Sequence, residues 1–218
     1  VSKISFGRRK LKAVVDAGNG MGSVTAVPIY NRLGVELVEL FTEPDSTFPN
    51  HHPDPTVTEN LQDTIRAVHE HKADVGIAFD GDGDRIGIID ETGRIIWGDE
   101  LMILLSRTVL AERPGSTIIA EVKCSQNLFN DIEKHGGTAI MERAGHSIIK
   151  SRMKETGAVL AGEMSGHIFF ADRFYGFDDA AYAGARLLEI LSKTDKKLSE
   201  LFDGIPETYS TPELRVDC

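Results

Sequence analysis

Cysteine is nearly absent. The 218 residues hold two, Cys124 and Cys218. They build neither a disulfide framework nor a zinc-ligand spacing, and a reducing cytoplasm is the expected setting. No apolar run approaches the ~18 residues of a membrane span, so no membrane partner is expected. Basic residues are outnumbered: 24 Lys and Arg against 34 Asp and Glu leave a net charge of −10. That balance excludes nucleic acid or an anionic membrane surface as the main partner. It leaves room for an anionic substrate held by local basic groups. The opening stretch Val1–Lys10 has no apolar core and does not read as a secretory signal. What the chain does have is 41% hydrophobic residues, ordinary for globular cores, and a length that allows one large or two small domains.

The most informative run is Asp80-Gly81-Asp82-Gly83-Asp84, followed at once by Arg85. Carboxylates at i, i+2 and i+4 can share one side of an extended or turning backbone. The glycines let that backbone bend and leave room for an ion. Three anions brought together repel one another unless a cation neutralises them or some take up protons. Oxygen ligands without Cys or His at matching spacing favour Mg²⁺, Mn²⁺ or Ca²⁺ over zinc. The bland alternative is a solvated turn, but strand-like stretches, Val75–Phe79 and Ile86–Ile89, pin both ends. An EF-hand would want Gly at the position of Arg85, helices on both sides, and Glu91 as its last ligand. A metal-dependent glycosyltransferase is a second rival.

Strand and helix signals alternate along the chain. Leu11–Val15 reads as a strand, Thr25–Leu33 as a helix and Val35–Leu40 as a strand. Glu43–Thr56 holds four prolines and reads as a long loop. Glu59–His71 has a helical apolar period, and Ala73–Phe79 is a buried parallel-type strand. Ile86–Trp97 reads as a hairpin. A second unit starts near Gly98, with Asp99 expected to cap a helix Glu100–Glu112. Strands at Thr117–Val122, Thr138–Glu142, Ala158–Ala161 and His167–Ala171 follow, with helices at Gln126–Lys134, His146–Glu155 and Asp178–Lys193. The expected fold is α/β: two tandem three-layer α/β/α domains with largely parallel mixed sheets. The expected domains are 1–97 and 98–210, with 211–218 as the entry strand of a further domain. Ligand loops belong at the C-terminal ends of the strands.

Other polar groups cluster at those ends. Gly18-Asn19-Gly20-Met21-Gly22 follows a strand, but the spacing misses the dinucleotide pattern, so a tight turn is the better reading. Lys123 ends a strand, where an isolated lysine is more often a solvated charge. His146 opens a helix, where amides and the macrodipole can meet an anion, although a lone His there is more often a cap. In Gly162-Glu163-Met164-Ser165-Gly166-His167, a carboxylate, a hydroxyl and an imidazole between glycines suit vicinal sugar hydroxyls. The alternative is a plain polar loop. The shared placement of Lys123, His146, Glu163, Ser165 and Asp80–Arg85 weighs more than any one of them.

These residues resemble the α-D-phosphohexomutase superfamily. Asp80–Arg85 looks like its metal loop and Gly162–Gly166 like its sugar-recognition loop, while Val122–Ser125 and Gly145–Lys150 match further stretches of its third domain. The form with Met164, with Met153–Phe170 and Tyr175–Leu191 around it, is most similar to the bacterial phosphomannomutase/phosphoglucomutase branch. The phosphoglucosamine branch more often has Gln where Met164 stands. The likeness covers the second and third of that family's four domains. Neither the first domain's phosphorylated-serine loop nor the fourth domain's phosphate-gripping loop is found here. The chain is therefore expected to be an excised middle portion, inactive by itself, whose partners are the missing N- and C-terminal domains and a phosphorylated hexose.

The resemblance implies phosphoryl transfer between a phosphoserine and the 1- or 6-hydroxyl of a hexose, with a hexose 1,6-bisphosphate as activator and intermediate. It implies one Mg²⁺ per site, held by Asp80, Asp82 and Asp84, with Arg85 steadying the phosphoserine. Lys123 and His146 become the acid/base or charge-stabilising candidates. Glu163 and Ser165 would grip O3 and O4 of the sugar, with His167 near the phosphate or sugar. Two other classes stay open: a non-mutase metal-dependent sugar-phosphate transferase, and a binding module without catalysis.

Overall fold

A computed structural model describes residues 2–206. The expected entry strand at 211–218 and Cys218 lie outside the described residues. The first unit runs β1 (Lys12–Asp16), α1 (Gly22–Arg32), β2 (Glu36–Leu40), α2 (Gln62–His71), β3 (Val75–Phe79), β4 (Ile86–Asp90) and β5 (Ile95–Ile96). The second runs α3 (Gly98–Glu112), β6 (Thr117–Glu121), α4 (Gln126–Lys134), β7 (Thr138–Glu142), α5 (His146–Thr156), β8 (Leu160–Gly162), β9 (Ile168–Phe170), β10 (Phe177–Asp178) and α6 (Ala180–Ser192). The sheet orders are β2-β1-β3-β4-β5 and β7-β6-β8-β9-β10, so the two units repeat one topology without a residue-level repeat. In each sheet the first three strands are parallel, the fourth is reversed, and the fifth turns back again.

Residue choice follows position in the sheet. Val75-Gly-Ile-Ala-Phe79 and Ile86-Gly-Ile-Ile-Asp90 are buried along their whole length, as strands covered by helices on both faces must be. Ile77, Ile88 and Ile89 are fully buried, and each contributes about 1.5–3 kcal/mol through the area removed from water. The edge strands β2 and β7 keep exposed charged or polar positions, which blunts edge-to-edge pairing.

One continuous apolar cluster runs from Leu11 and Val15 through Ile77, Leu101 and Ile118 to Leu188, so both sheets drain into a common core. Helix α6 is the hinge of that core. It packs against α1, α3, β4 and β9, and Tyr30 of the first unit donates a hydrogen bond to the Ala181 carbonyl at 3.1 Å. The opening segment is fastened to the same helix: the Gly7 amide donates to Ser192 Oγ at 2.8 Å and the Ser5 amide to Glu189 Oε1 at 3.1 Å.

One expected cap is corrected. Helix α3 begins at Gly98, so Asp99 stands inside its first turn and does not cap it. Glu100 closes the turn by accepting from the Trp97 amide, which frees buried Asp99 to accept from the Ser125 amide at 2.9 Å. The short strand β10, which places Asp178 on the sheet edge, replaces the start of the expected helix.

The long proline-rich loop is held at its centre. Fully buried Asp16, at the end of β1, accepts from the Gly18 amide, from Thr64 Oγ1 at 2.7 Å and from His51 Nε2 at 3.2 Å. The bond to Asp16 raises the His51 pKa above its ordinary value against the opposing effect of burial. A raised folded-state pKa stabilises fully below the unfolded value of about 6.5 and is lost as pH climbs through the folded value. Melting temperatures across that interval should therefore fall more steeply for the unaltered chain than for His51→Gln. Parallel profiles would remove the pair from the loop's anchorage.

Candidate active site

The acidic run forms the hairpin between β3 and β4, and Asp80 organises it. Its Oδ1 accepts from the amides of Gly83, Asp84 and Arg85, each at 3.0 Å. Its Oδ2 accepts from Arg85 Nε at 2.8 Å. Burial pushes the Asp80 carboxyl up, but the Arg85 backbone and side-chain bonds outweigh it and hold the group below its usual range. Asp54, from the proline-rich loop, takes Arg85 Nη1 at 3.3 Å. Arg85 is thus clamped between two carboxylates.

The glycine-rich turn after β1 buttresses this loop and does not form a dinucleotide cradle. The Met21 amide donates to the Gly81 carbonyl at 3.0 Å, and a Cβ on Gly20 would lie 2.6 Å from that oxygen. Close backbone approach is what glycine serves here. The EF-hand alternative fails because strands flank the loop. Glu91, at the far end of β4, accepts from Ser199 Oγ at 2.5 Å.

Oxygens of Asp80, Asp82 and Asp84 lie within 4.8 Å of one another. Burial, together with the charges of Asp80 and Asp82, pushes the Asp84 carboxyl up to about 6 despite the opposing charge of His167. Crowded hard-oxygen donors that resist ionising together are the chemistry a divalent cation relieves. The residues present fit a Mg²⁺-type ion.

The second hairpin, between β8 and β9, occupies the equivalent place in the second sheet. Glu163 is buried, and its Oε1 accepts from the Gly145 amide at 2.6 Å, which fixes the turn before His146. The Met164 amide donates to Glu121 Oε1 at 3.1 Å, and Lys123 Nζ stands 3.7 Å from the same oxygen. Ser165 is half-buried in the turn. The hairpins meet directly: Arg85 and His167 form an antiparallel bridge, and the Ile86 amide donates to the Gly166 carbonyl at 3.1 Å.

His167 sits at that junction. Its Nδ1 lies 3.1 Å from Asp178 Oδ2 and 3.5 Å from Asp84 Oδ1. Burial opposes its charged form, but Asp178, Asp84 and Glu163 outweigh burial and raise its pKa. The His146 ring stacks on it, with centroids 6.0 Å apart. Lys150 Nζ reaches His146 Nδ1 at 3.2 Å and Asp178 Oδ1 at 3.1 Å.

The expected residues therefore gather in one place, with Lys123 at its exposed margin. Sequence reasoning missed Asp54, Glu121, Lys150 and Asp178. A doubled acid at a helix start, Asp178-Asp179, was the one available signal for Asp178. Nothing local marked the others.

This architecture and this pair of hairpins define the class. Residues 2–93 match the family described as phosphoglucomutase/phosphomannomutase, alpha/beta/alpha domain II, and residues 97–209 match its alpha/beta/alpha domain III. The chain belongs to the phosphoglucomutase/phosphomannomutase family. Among its relatives, a phosphomannomutase/phosphoglucomutase of Pseudomonas putida is 54% identical over 96% of this chain and 45% of its own length. A phosphoglucomutase of Neisseria gonorrhoeae is 52% identical over 96% of this chain and 45% of its own length. A crystal structure of a phosphoglucomutase/phosphomannomutase family protein from Burkholderia thailandensis superposes with a TM-score of 0.92 at 51% identity, covering 97% of this chain and 46% of that one. The chain spans about half the length of the relatives it matches.

Asp82 is the exposed member of the acidic triplet. Asp82→Asn should weaken Mg²⁺ or Mn²⁺ binding by about an order of magnitude, because ligand charge tunes affinity at such sites. It should leave the melting temperature within about 2 °C, as surface substitutions do. Titration calorimetry and thermal denaturation of the chain read both. Equal binding by the variant would exclude Asp82 as a ligand.

Proposed function

We propose that this chain forms the metal-holding and sugar-recognising half of a phosphohexomutase that interconverts hexose 1-phosphate and hexose 6-phosphate, with glucose and mannose as its sugars. Residues 1–97 and 98–210 act as its second and third domains, in a cytoplasmic setting. The observation that carries this reading is the direct bridge between the acidic hairpin and the Glu163–His167 hairpin. It sets a cation-suited cluster beside a carboxylate, a hydroxyl and an imidazole on one rigid ledge.

Asp80, Asp82 and Asp84 hold Mg²⁺, which when bound stabilises the negative charge of a transferring phosphoryl group. Arg85, fixed by Asp80 and Asp54, keeps its remaining guanidinium nitrogen for a phosphate oxygen. Glu163 has one oxygen committed to Gly145 and one left for sugar hydroxyls, with Ser165 beside it. Lys123 and His146, the more exposed of the basic side chains, suit the phosphate that is not reacting, Lys123 as a charge and His146 as a hydrogen-bond donor. Proton transfer moves from those two residues to His167, which is more buried and is flanked by carboxylates that stabilise its protonated form. The sugar O–H proton passes to His167 as that oxygen bonds to phosphorus, and the phosphorus–oxygen bond to a phosphoserine outside these residues breaks. The phosphoserine and a bisphosphorylated sugar thus complete the cycle, with transfer resting mainly on positioning.

Two measurements test this reading. In the whole protein that carries this segment, Glu163→Ala should lower kcat/KM by about one to two orders of magnitude, since bonds to a charged acceptor contribute about 1.5–3 kcal/mol each. The loss should be equal for glucose and mannose phosphates, which differ at C2 and not at O3 or O4. A strong bias between the two sugars would mean that the loop reads C2. The 218-residue chain alone should show no turnover of mannose 1-phosphate or glucose 1-phosphate in a coupled assay. Robust turnover would place a nucleophile within these residues and overturn the division of labour.

A further inference from the structure

Between the two histidines lies a pair of charges that the reaction scheme does not use. Asp178 comes from β10, the edge strand of the second sheet, and its side chain is 7% exposed. Its Oδ1 accepts from Lys150 at 3.1 Å, and its Oδ2 faces His167 Nδ1 at 3.1 Å. Lys150, on α5, also meets His146 Nδ1 at 3.2 Å.

Donor and acceptor chemistry fixes what these contacts can be. An ammonium only donates, so His146 Nδ1 must accept, and its proton resides on Nε2. An ionised carboxylate only accepts, so His167 must carry its proton on Nδ1 to bond Asp178. Burial works against the ionised Asp178, but the His167 and Lys150 hydrogen bonds outweigh it and hold the carboxyl well below the usual range. Asp84 Oδ1, at 3.5 Å from the same Nδ1, is too far to compete. His167 Nδ1 and Asp178 Oδ2 stand at hydrogen-bonding distance without hydrogen-bond alignment, and neither buried atom has another hydrogen-bond partner. Such contacts commonly tighten when substrate binds. With its proton on Nδ1, neutral His167 keeps one free lone pair, on Nε2.

We propose that Asp178 is a positioning residue that fixes His167 in the Nδ1–H tautomer, and that Lys150 locks Asp178 while holding the stacked His146 in the opposite, Nε2–H tautomer. One lysine–carboxylate pair thereby makes one imidazole an acceptor toward the site and its neighbour a donor. Histidine free in water prefers Nε2–H, so the unusual state of His167 depends on Asp178. A carboxylate behind a functional histidine is a general device for fixing tautomer and ring orientation. The proposal rests on the reading of His167 as proton acceptor, and its first test is independent of activity.

Long-range ¹H–¹⁵N correlation spectra of histidine-labelled, metal-free chain at alkaline pH report each tautomer directly. The expected result is His167 with Nδ1 protonated and Nε2 bare, and His146 with the reverse. Asp178→Ala should return His167 to the Nε2–H form with the remaining amide spectrum preserved. Lys150→Met should shift the His146 Nδ1 resonance. His167 found as Nε2–H in the unaltered chain overturns the proposal even if Asp178→Ala does not fold. A folded Asp178→Ala chain that keeps Nδ1–H also overturns it, and an unmoved His146 resonance removes Lys150 from it. In the whole enzyme, Asp178→Ala should cut kcat about 10–100-fold with little change in KM, and Asp178→Glu should restore part of the loss. A tautomer that shifts while kcat does not would sustain the positioning and overturn the catalytic reading of His167.

Discussion

The structure depends on one short stitch. The Ile86 amide bonds to the Gly166 carbonyl, and Arg85 pairs with His167 across the boundary between the two sheets. Two hairpins from separate sheets become one ledge at that point. The stitch demands glycine at 166, whose φ is +95° and whose missing side chain leaves room for the Ile86 carbonyl. Any Cβ there would drive the hairpins apart, and His167 would leave both Asp84 and the acidic loop.

The repeated topology explains why the hairpins meet. In each sheet the third strand turns back into the reversed fourth strand at the same end. Asp80–Arg85 fills that turn in one unit and Glu163–His167 in the other. The strand next to the parallel edge of each sheet also ends in a buried carboxylate, Asp16 of β1 and Glu121 of β6. Asp16 secures the proline-rich loop that clamps Arg85, and Glu121 secures the Met164 amide. One fold has been used twice, once to gather carboxylates and once to pair a carboxylate with imidazole. The common core around α6 keeps the two copies in register.

The basic groups at the ledge are outnumbered by its carboxylates, as they are in the chain as a whole. The net charge is −10, and Arg85, Lys123, Lys150 and His167 each stand against a site carboxylate. Each buried acid has a named donor, which is how charge can be held away from water at tolerable cost. The exception is the crowding around Asp84, whose carboxyl is pushed up to about 6 by burial and by its acidic neighbours. That local crowding of oxygen donors is the kind a divalent cation relieves.

Much of this was legible in the residues alone. Near-continuous apolar runs such as Val75–Phe79 declare buried strands, since a strand covered on both faces has no polar side to show. The alternation of strand and helix declared a layered α/β fold, and Asp80–Arg85 stood out as an acidic cluster because its carboxylates are neighbours in sequence. What the sequence could not determine were contacts between residues far apart in the chain. Asp54 and Arg85, Tyr30 and Ala181, and Lys150 and Asp178 meet only because helices and sheets pack. Asp99 looked like a helix cap, but the Glu100 side chain closed the first turn and Asp99 was buried against the Ser125 amide. Local chemistry is written in local order, whereas the partner that gives a buried charge its function is chosen by the packing of the whole molecule.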